Sequence, residues 1–265
     1  MIDEGSASPG RPMRATATSR PGMLTRSFAI LNAFRPGDVS VQPTELARRT
    51  GLSKATGHRI VREMVDLGIL ERTDAGVSIG LRMFEIGQLV PLHSPLRVAA
   101  LPFLTDLSEA TGGAMHLAVL EGADVVYLEI VNPIKGLSSR TGGRLPARST
   151  AAGWAILAFS TDQVVREVLG PSFATPRDRS RPRPEDLAGV RAHRFACDPE
   201  GDSGAVKAVA VPVLDRSGAA IAALSLLHPT GTSQQHRFVP ALQVAAKALG
   251  RTVHRHSVRP VDRSS

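Results

Sequence analysis

From Thr44 to Gly80 the chain reads "TELARRTGLSKATGHRIVREMVDLGILERTDAGVSIG", and this one run leaves few folds open. Thr44 is expected to open a short helix that ends near Arg49. "TGL" turns the chain, and Ser53 is placed to cap a second helix that Gly68 stops. "ILERTDAGVSIG" then reads as a strand, a glycine-containing turn and a return strand. Ahead of the run, "MLTRSFAILNAF" (Met23–Phe34) carries Leu24, Phe28 and Leu31 at helical spacing, and "RPGDVS" breaks it. Helix, helix, helix and a small hairpin make a winged helix-turn-helix.

A helical projection at ~100° per residue sorts the second helix of the run into two faces. Lys54, Ala55, His58, Arg59 and Arg62 share one face; Ser53, Gly57, Ile60, Met64 and Leu67 share the other, expected to meet the core. Between Arg48 and Arg62 there are five Lys or Arg residues and no acid. A helix of this kind fits the major groove, with its N-terminal residues at the base edges and its outer cations on phosphate. The plainer alternative is a solvated basic face. Gly57 costs roughly 1 kcal/mol of helix propensity relative to Ala. It predicts either a local weakness or an unusually close neighbouring helix.

The chain has 265 residues, 42% of them hydrophobic, which is enough for two packed domains. A formal net charge of +8 favours an anionic partner, though part of the surplus lies in tails and loops. Aromatic residues make up 4%, so stacking on bases or sugars is not expected to be central. Cys197 is the single cysteine, which leaves no intramolecular disulfide and no cysteine zinc cluster and fits a reducing, cytoplasmic setting. The runs "AAGWAILAF" and "AAIAALSLL" are too short to span a bilayer. The N-terminal residues have the composition of a disordered basic tail and not of a secretory signal.

Beyond residue 80, "LRMFEIGQLVPLH" reads as a helical connector and "SPLRVAALPFLTDLSEATG" as an amphipathic helix ending at Gly112. "AMHLAVLEG" and "ADVVYLEIV" are strands joined by a tight turn at Glu121–Gly122. A Gly/Pro-rich loop follows, then "STAAGWAILAF", a buried helix with its cap near Ser149. "TDQVVREVLG" and "PEDLAGVRAHR" are helices, "FACD" is a short strand, and two apolar strands flank "DRSG" before a closing helix. Strands interleaved with helices imply an α+β sensor domain.

At this point the chain resembles the IclR family of bacterial transcriptional regulators. The resemblance rests on "LTRSFAILNAF", "TELARRTGLSKATGHRI", "LGILER", "LRVAALPFLTDLSEATG", "MHLAVLEGADVVYLE", "GGRLPARSTAAGWAILAF" and "AVPVLDRSGAAIAALSL", in family order from Met23 to about Arg251. It implies an α+β chain: an N-terminal winged helix-turn-helix (21–80) joined by a linker helix (81–94) to a GAF-like α/β effector-binding domain (95–253). Disordered tails at 1–20 and 254–265 complete the expected layout. It also implies a homodimer or dimer of dimers on a palindromic operator, a small organic acid or aromatic metabolite as effector, and no cofactor.

Position by position, the resemblance puts Arg26, Ser53, Lys54, Thr56, His58, Arg59 and Arg72 against double-stranded DNA. It puts Leu137, Ala151, Ala152, Asp198, Ala208 and Ser225 around the effector. Ser225 and Asp198 also have plain readings, as a strand residue and a turn cap. The chain departs from the family pattern at several places. Gly57 replaces a usual Val, Trp154 a common Lys, Gly201 an acid, and Leu227 a hydroxyl or small residue; the wing lacks its basic and aromatic residues. These departures imply a pocket with fewer polar handles and a more apolar or unusual effector, and leave open a domain that has lost its effector response.

Other readings remain at this level. A C-terminal domain that only assembles oligomers would make the protein a DNA binder blind to effectors. A hydrolase could use Ser203 of "GDSG" or Ser225, but that chemistry needs a His base and an Asp orienter converging on the serine. The histidines are scattered, with His254 and His256 lacking a third ligand, so no metal site is expected. His116, on an alternating strand, reads as a packing or hydrogen-bonding residue with a possible place in a pocket.

Overall fold

The computed structural model describes residues 22–90, 93–135, 137, 139–170, 182–197, 206–229 and 235–257. The chain divides into two compact units, the first running to Val90 and the second from Pro91.

The first unit packs α1 (Met23–Asn32), α2 (Pro43–Thr50) and α3 (Lys54–Asp66) with the hairpin β1 (Leu70–Thr73) and β2 (Gly76–Ile79). Ile30, Leu46, Ile60, Met64, Leu70 and Val77 form its core. This is a winged helix-turn-helix, and most of its boundaries follow from local chemistry. The Ser53 hydroxyl accepts a hydrogen bond from the Thr56 N–H at 3.3 Å. Gly51 and Gly68 turn the chain out of α2 and α3 at φ of 69° and 72°, which glycine adopts without a Cβ penalty.

Two local expectations are corrected. Thr44 does not cap α2: Gln42 is the N-cap without a side-chain bond, and Pro43 fills the first turn, where its missing N–H goes unneeded. Leu67 does not join the core and is 52% exposed, because α3 ends at Asp66 and the helical period stops there; Val61 is buried instead. Gly57 is buried against α2. A Cβ there would lie 2.7 Å from the Ala47 Cβ, so the close-approach version of the expectation holds.

α4 (Leu81–Gln88) follows the wing, and none of its side chains is buried. The expected connector helix stops at Gln88 and does not run on to His93.

The second unit is built on a six-stranded antiparallel sheet in the order β5-β4-β3-β8-β7-β6. Its strands are β3 (Ala114–Glu121), β4 (Asp124–Val131), β5 (Arg144–Pro146), β6 (Ala196–Cys197), β7 (Val206–Leu214) and β8 (Ala220–Pro229). Alternation along the strands sends two different sets of side chains to the two faces. One set, with Met115, Leu117, Val209, Val211, Leu224 and Leu226, packs under α5 (His93–Thr111) and α9 (Val239–Ser257). The other, with Ala118, Ala208, Ala210 and Ala223, packs under α6 (Ala151–Leu157), α7 (Asp162–Leu169) and α8 (Pro184–His193). α9 continues to Ser257, past the point where a tail was expected. No helix among the described residues is long and apolar enough to cross a membrane.

Candidate functional site

Two places bring the expected residues together, one in each unit. In the first, α3 presents Lys54, Ala55, His58, Arg59 and Arg62 to solvent, while Gly57, Ile60, Val61 and Met64 hold its other side in the core. The cations lie toward the N-terminal end and the acids Glu63 and Asp66 toward the C-terminal end. The helix dipole adds positive potential at that same N-terminal end. Arg59 makes a 4.0 Å contact with Glu63 across an exposed surface and a 3.9 Å contact with the Met23 sulfur. Such contacts compete weakly with a phosphate.

The two arginines just before this helix are spent. Arg48 grips Glu45 through paired bonds of 2.7 and 2.8 Å. Arg49 is mostly buried and reaches Glu45, the Ala33 carbonyl and Asp38, tying α2 to the end of α1 and the loop after it. Hydrogen bonds from Arg48 and Arg49 hold the Glu45 carboxyl at a pKa of about 2. The sequence therefore overcounts the available cations, and the Glu45 spacing to Arg48 and Arg49 was the signal that could have shown it.

Arg26 sits half-buried on α1, and Arg72 is exposed on β1. Ser53 and Thr56 turn their hydroxyls to each other at 2.9 Å. The wing is fixed by a bridge between Val41 and Val77, with Gly76 so near the Val41 carbonyl that a Cβ would collide with it.

In the second unit, Ala151, Ala152 and Ala208 belong to one apolar cluster on the α6 face. Ser225 stands on the same face, paired across the sheet with Ala210 on one side and His116 on the other. Ser225 and His116 are both buried, at 3% and 1% exposure. The His116 ring meets Tyr127 edge-on at 5.1 Å between centroids. Burial lowers the His116 pKa to about 4, so its imidazole is neutral at pH 7. A buried hydroxyl beside a neutral imidazole gives a polar step on a floor otherwise made of small apolar groups. It can donate to and accept from a ligand oxygen without carrying charge.

α6 closes over this floor. Its cap is the Thr150 hydroxyl, bonded to the Gly153 N–H at 3.0 Å, and not Ser149, which ends the short 3-10 turn Ala147–Ser149 and donates back to the Pro146 carbonyl. A Cβ on Gly153 would run into the Ala147 carbonyl, so α6 and the turn are in direct backbone contact. Trp154 donates its indole N–H to the Arg148 carbonyl at 2.7 Å. It therefore serves the packing of α6 and does not replace a lysine as a free polar group. Leu137 is half-buried in the loop between β4 and β5, outside that cluster. Asp198, Gly201 and the Ser203 of "GDSG" fall outside the described residues. Sequence reading weighed His116 but missed Tyr127 and Thr150; the lone polar residue inside "AMHLAV" was the available sign for the first.

No group of three or more His, Cys, Asp or Glu side chains among the described residues could hold a metal ion. No carboxylate among them is hydrogen-bonded to His116.

Comparison with known proteins bears on both places. Residues 23–74 match the model for the IclR helix-turn-helix domain, and residues 88–254 match the model for the bacterial transcriptional regulator IclR C-terminal region. The Pca regulon regulatory protein of Pseudomonas putida is 29% identical over 92% of this chain and 88% of its own length. The HTH-type transcriptional regulator XynR of Escherichia coli is 30% identical over 87% of this chain and 96% of its own. Among solved structures, an IclR homologue from Microbacterium hydrocarbonoxydans complexed with 4-hydroxybenzoate superposes with a TM-score of 0.78 at 29% identity, covering 88% of this chain and all of that one.

Proposed function

Because the chain belongs to the IclR family of bacterial transcriptional regulators, we propose that its first unit reads operator DNA with the exposed face of α3 and that its second unit senses a small organic acid. The observation that carries the DNA reading is the division of α3: exposed cations outward, an interlocked glycine contact inward. In this reading Lys54, His58 and Arg59 approach the base edges and phosphates of the major groove. Ser53 and Thr56 fix the helix N-terminus against the backbone, and Arg26 and Arg72 contact flanking phosphates. The work is done in the cytoplasm, where the operator lies.

The partner for symmetric DNA is a second copy of the chain. Leu24 and Phe28 of α1, and Leu81, Phe84 and Leu89 of and just after α4, are each 60% or more exposed. Such apolar exposure fits a homodimer contact.

The effector reading rests on Ser225 and His116. Ala151, Ala152 and Ala208 form the apolar walls, and Leu137, in the loop after β4, is a further contact in this reading. Neutral donors suit a carboxylate or phenol, the two groups of the 4-hydroxybenzoate held by the Microbacterium relative. No lysine or arginine of the second unit is buried among the described residues, so an organic acid would be held by hydrogen bonds and shape. Ligand binding would then bias the protein between states of different operator affinity.

A gel-shift titration against DNA flanking the gene, at two salt concentrations, tests the first half. Binding that weakens as salt rises and is lost in Arg59→Ala is the expected result. Adding 4-hydroxybenzoate to the same mixtures, and following thermal unfolding with and without it, tests the second half. A raised melting temperature together with altered DNA affinity supports a sensor. DNA binding indifferent to organic acids supports a second unit that only assembles oligomers, a reading favoured by the tight alanine packing of the α6 face.

A further inference from the structure

A cavity of about 820 Å³ opens in the second unit between the outer edge of β7, the turn joining β7 to β8, the end of α8 and one side of α9. Its helical wall, α9, packs on the sheet face opposite α6. It is thus separate from the Ser225 site. Its size falls within the range of small-molecule sites, which runs to ~1,000 Å³.

The charges around it are one-sided. Arg194, Arg216, Lys247 and Arg251 line the cavity with a single acid, Asp215. The whole chain holds 32 Lys and Arg against 24 Asp and Glu, so its overall surplus does not account for four to one. None of the four cations has a hydrogen bond or ion pair through its side chain among the described residues. Asp215, by contrast, is occupied. Its carboxylate accepts from the Ser217 N–H at 2.8 Å, the Ser217 hydroxyl at 2.6 Å and the Ala219 N–H at 3.0 Å. These bonds hold the β7–β8 turn and leave the acid poorly placed to neutralise the arginines.

Two further features keep the cavity open to an anion. The carbonyls ending α8 would oppose negative charge, but Gln243 of α9 donates to His193 O at 2.9 Å and Arg194 O at 3.4 Å. Among the described residues β6 pairs with β7 at Val209 and Ala210 and not at Pro212, so that edge of β7 is bare at Pro212. Pro212 stands on that bare edge and has no N–H to offer an incoming strand, which disfavours strand addition there. Pro212, Leu214, Pro240 and Val244 supply an apolar floor beneath the cations.

We propose that this cavity binds a small organic polyanion, a compact carbon body carrying two or more carboxylate or phosphate groups. Arg194, Arg216, Lys247 and Arg251 meet the anionic groups, and the proline and leucine floor meets the carbon body. The site is independent of the effector site and does not depend on the DNA-binding reading.

The test is calorimetric titration of the full chain with citrate and, separately, inorganic pyrophosphate, at low and high salt. Saturable binding of one anion per chain is expected, and the preferred probe tells carboxylate from phosphate chemistry. Lys247→Glu with Arg251→Glu should weaken it about tenfold or more, a loss of about 1.4 kcal/mol or more. Arg216→Ala, in an exposed turn, should weaken it less and serves if the double variant fails to fold. Arg166→Glu on α7 should leave it unchanged. No saturable binding of either probe overturns the proposal, as does an equal loss in Arg166→Glu. A double variant that keeps the anion but loses affinity for DNA also overturns it, in favour of a phosphate-backbone contact.

Discussion

The two faces of the six-stranded sheet are built from the same strands by opposite means. Under α5 and α9 the strands place mostly leucine, valine and methionine; under α6 they place mostly alanine, with Ser225, His116, Val125 and Tyr127 among them. Large side chains interdigitate and stabilise by the area they remove from water. Small ones let a helix come close and leave room for a polar step. One face holds the unit together, and the other is the face on which the proposed sensor rests.

The largest expected effect lies on the large-residue face. Leu224→Ala should cost about 4 kcal/mol, read as a lower midpoint in urea unfolding. A loss no greater than that of a surface substitution would break the contrast. On the other face, Gly153→Ala should cost about 3 kcal/mol, because the new Cβ meets a backbone carbonyl that cannot swing away. The pH dependence sharpens the picture at His116. Its pKa is near 4 when folded against an ordinary 6.5, so the unfolded chain takes up the proton first. Stability is full above pH 6.5 and falls as the pH drops toward 4, by about 3 kcal/mol in all. His116→Gln should flatten that window in unfolding curves taken across it.

Gly57→Ala carries the same reasoning into the first unit. The helix-propensity gain of about 1 kcal/mol is opposed by the contact with the Ala47 Cβ, and a net loss of about 1 kcal/mol is expected. A gain in melting temperature would mean that α2 gives way. Ser225→Ala should be the mildest for folding, under about 1 kcal/mol, while reducing any organic-acid response by about tenfold. A response left intact would move the site away from β8.

How much of this could be read beforehand depended on distance along the chain. Ser53 capping α3 and Gly68 ending it involve only neighbours, and both were legible. The buried stripe of Gly57, Ile60 and Met64 followed from periodicity, while Leu67 failed because the period outlived the helix. Arg49 looked like one more cation for DNA, since its partner Asp38 and the Ala33 carbonyl lie in another part of the unit. His116 and Ser225 are more than a hundred residues apart, and only the pairing of β3 with β8 sets them side by side. No spacing rule contains that register. The cap of α6 slipped from Ser149 to Thr150 because a short 3-10 turn precedes the helix and takes the serine for itself.

Trp154 is the one tryptophan in the chain, and its indole is buried in the helix that covers the polar step. The protein therefore carries its own optical probe at the place where a sensor would move, with no second indole to dilute the signal. While the Arg148 carbonyl holds the indole N–H in an apolar surround, emission should be blue-shifted; displacement of α6 into water would shift it to the red. A titration that displaces α6 can be followed by intrinsic fluorescence, without a label.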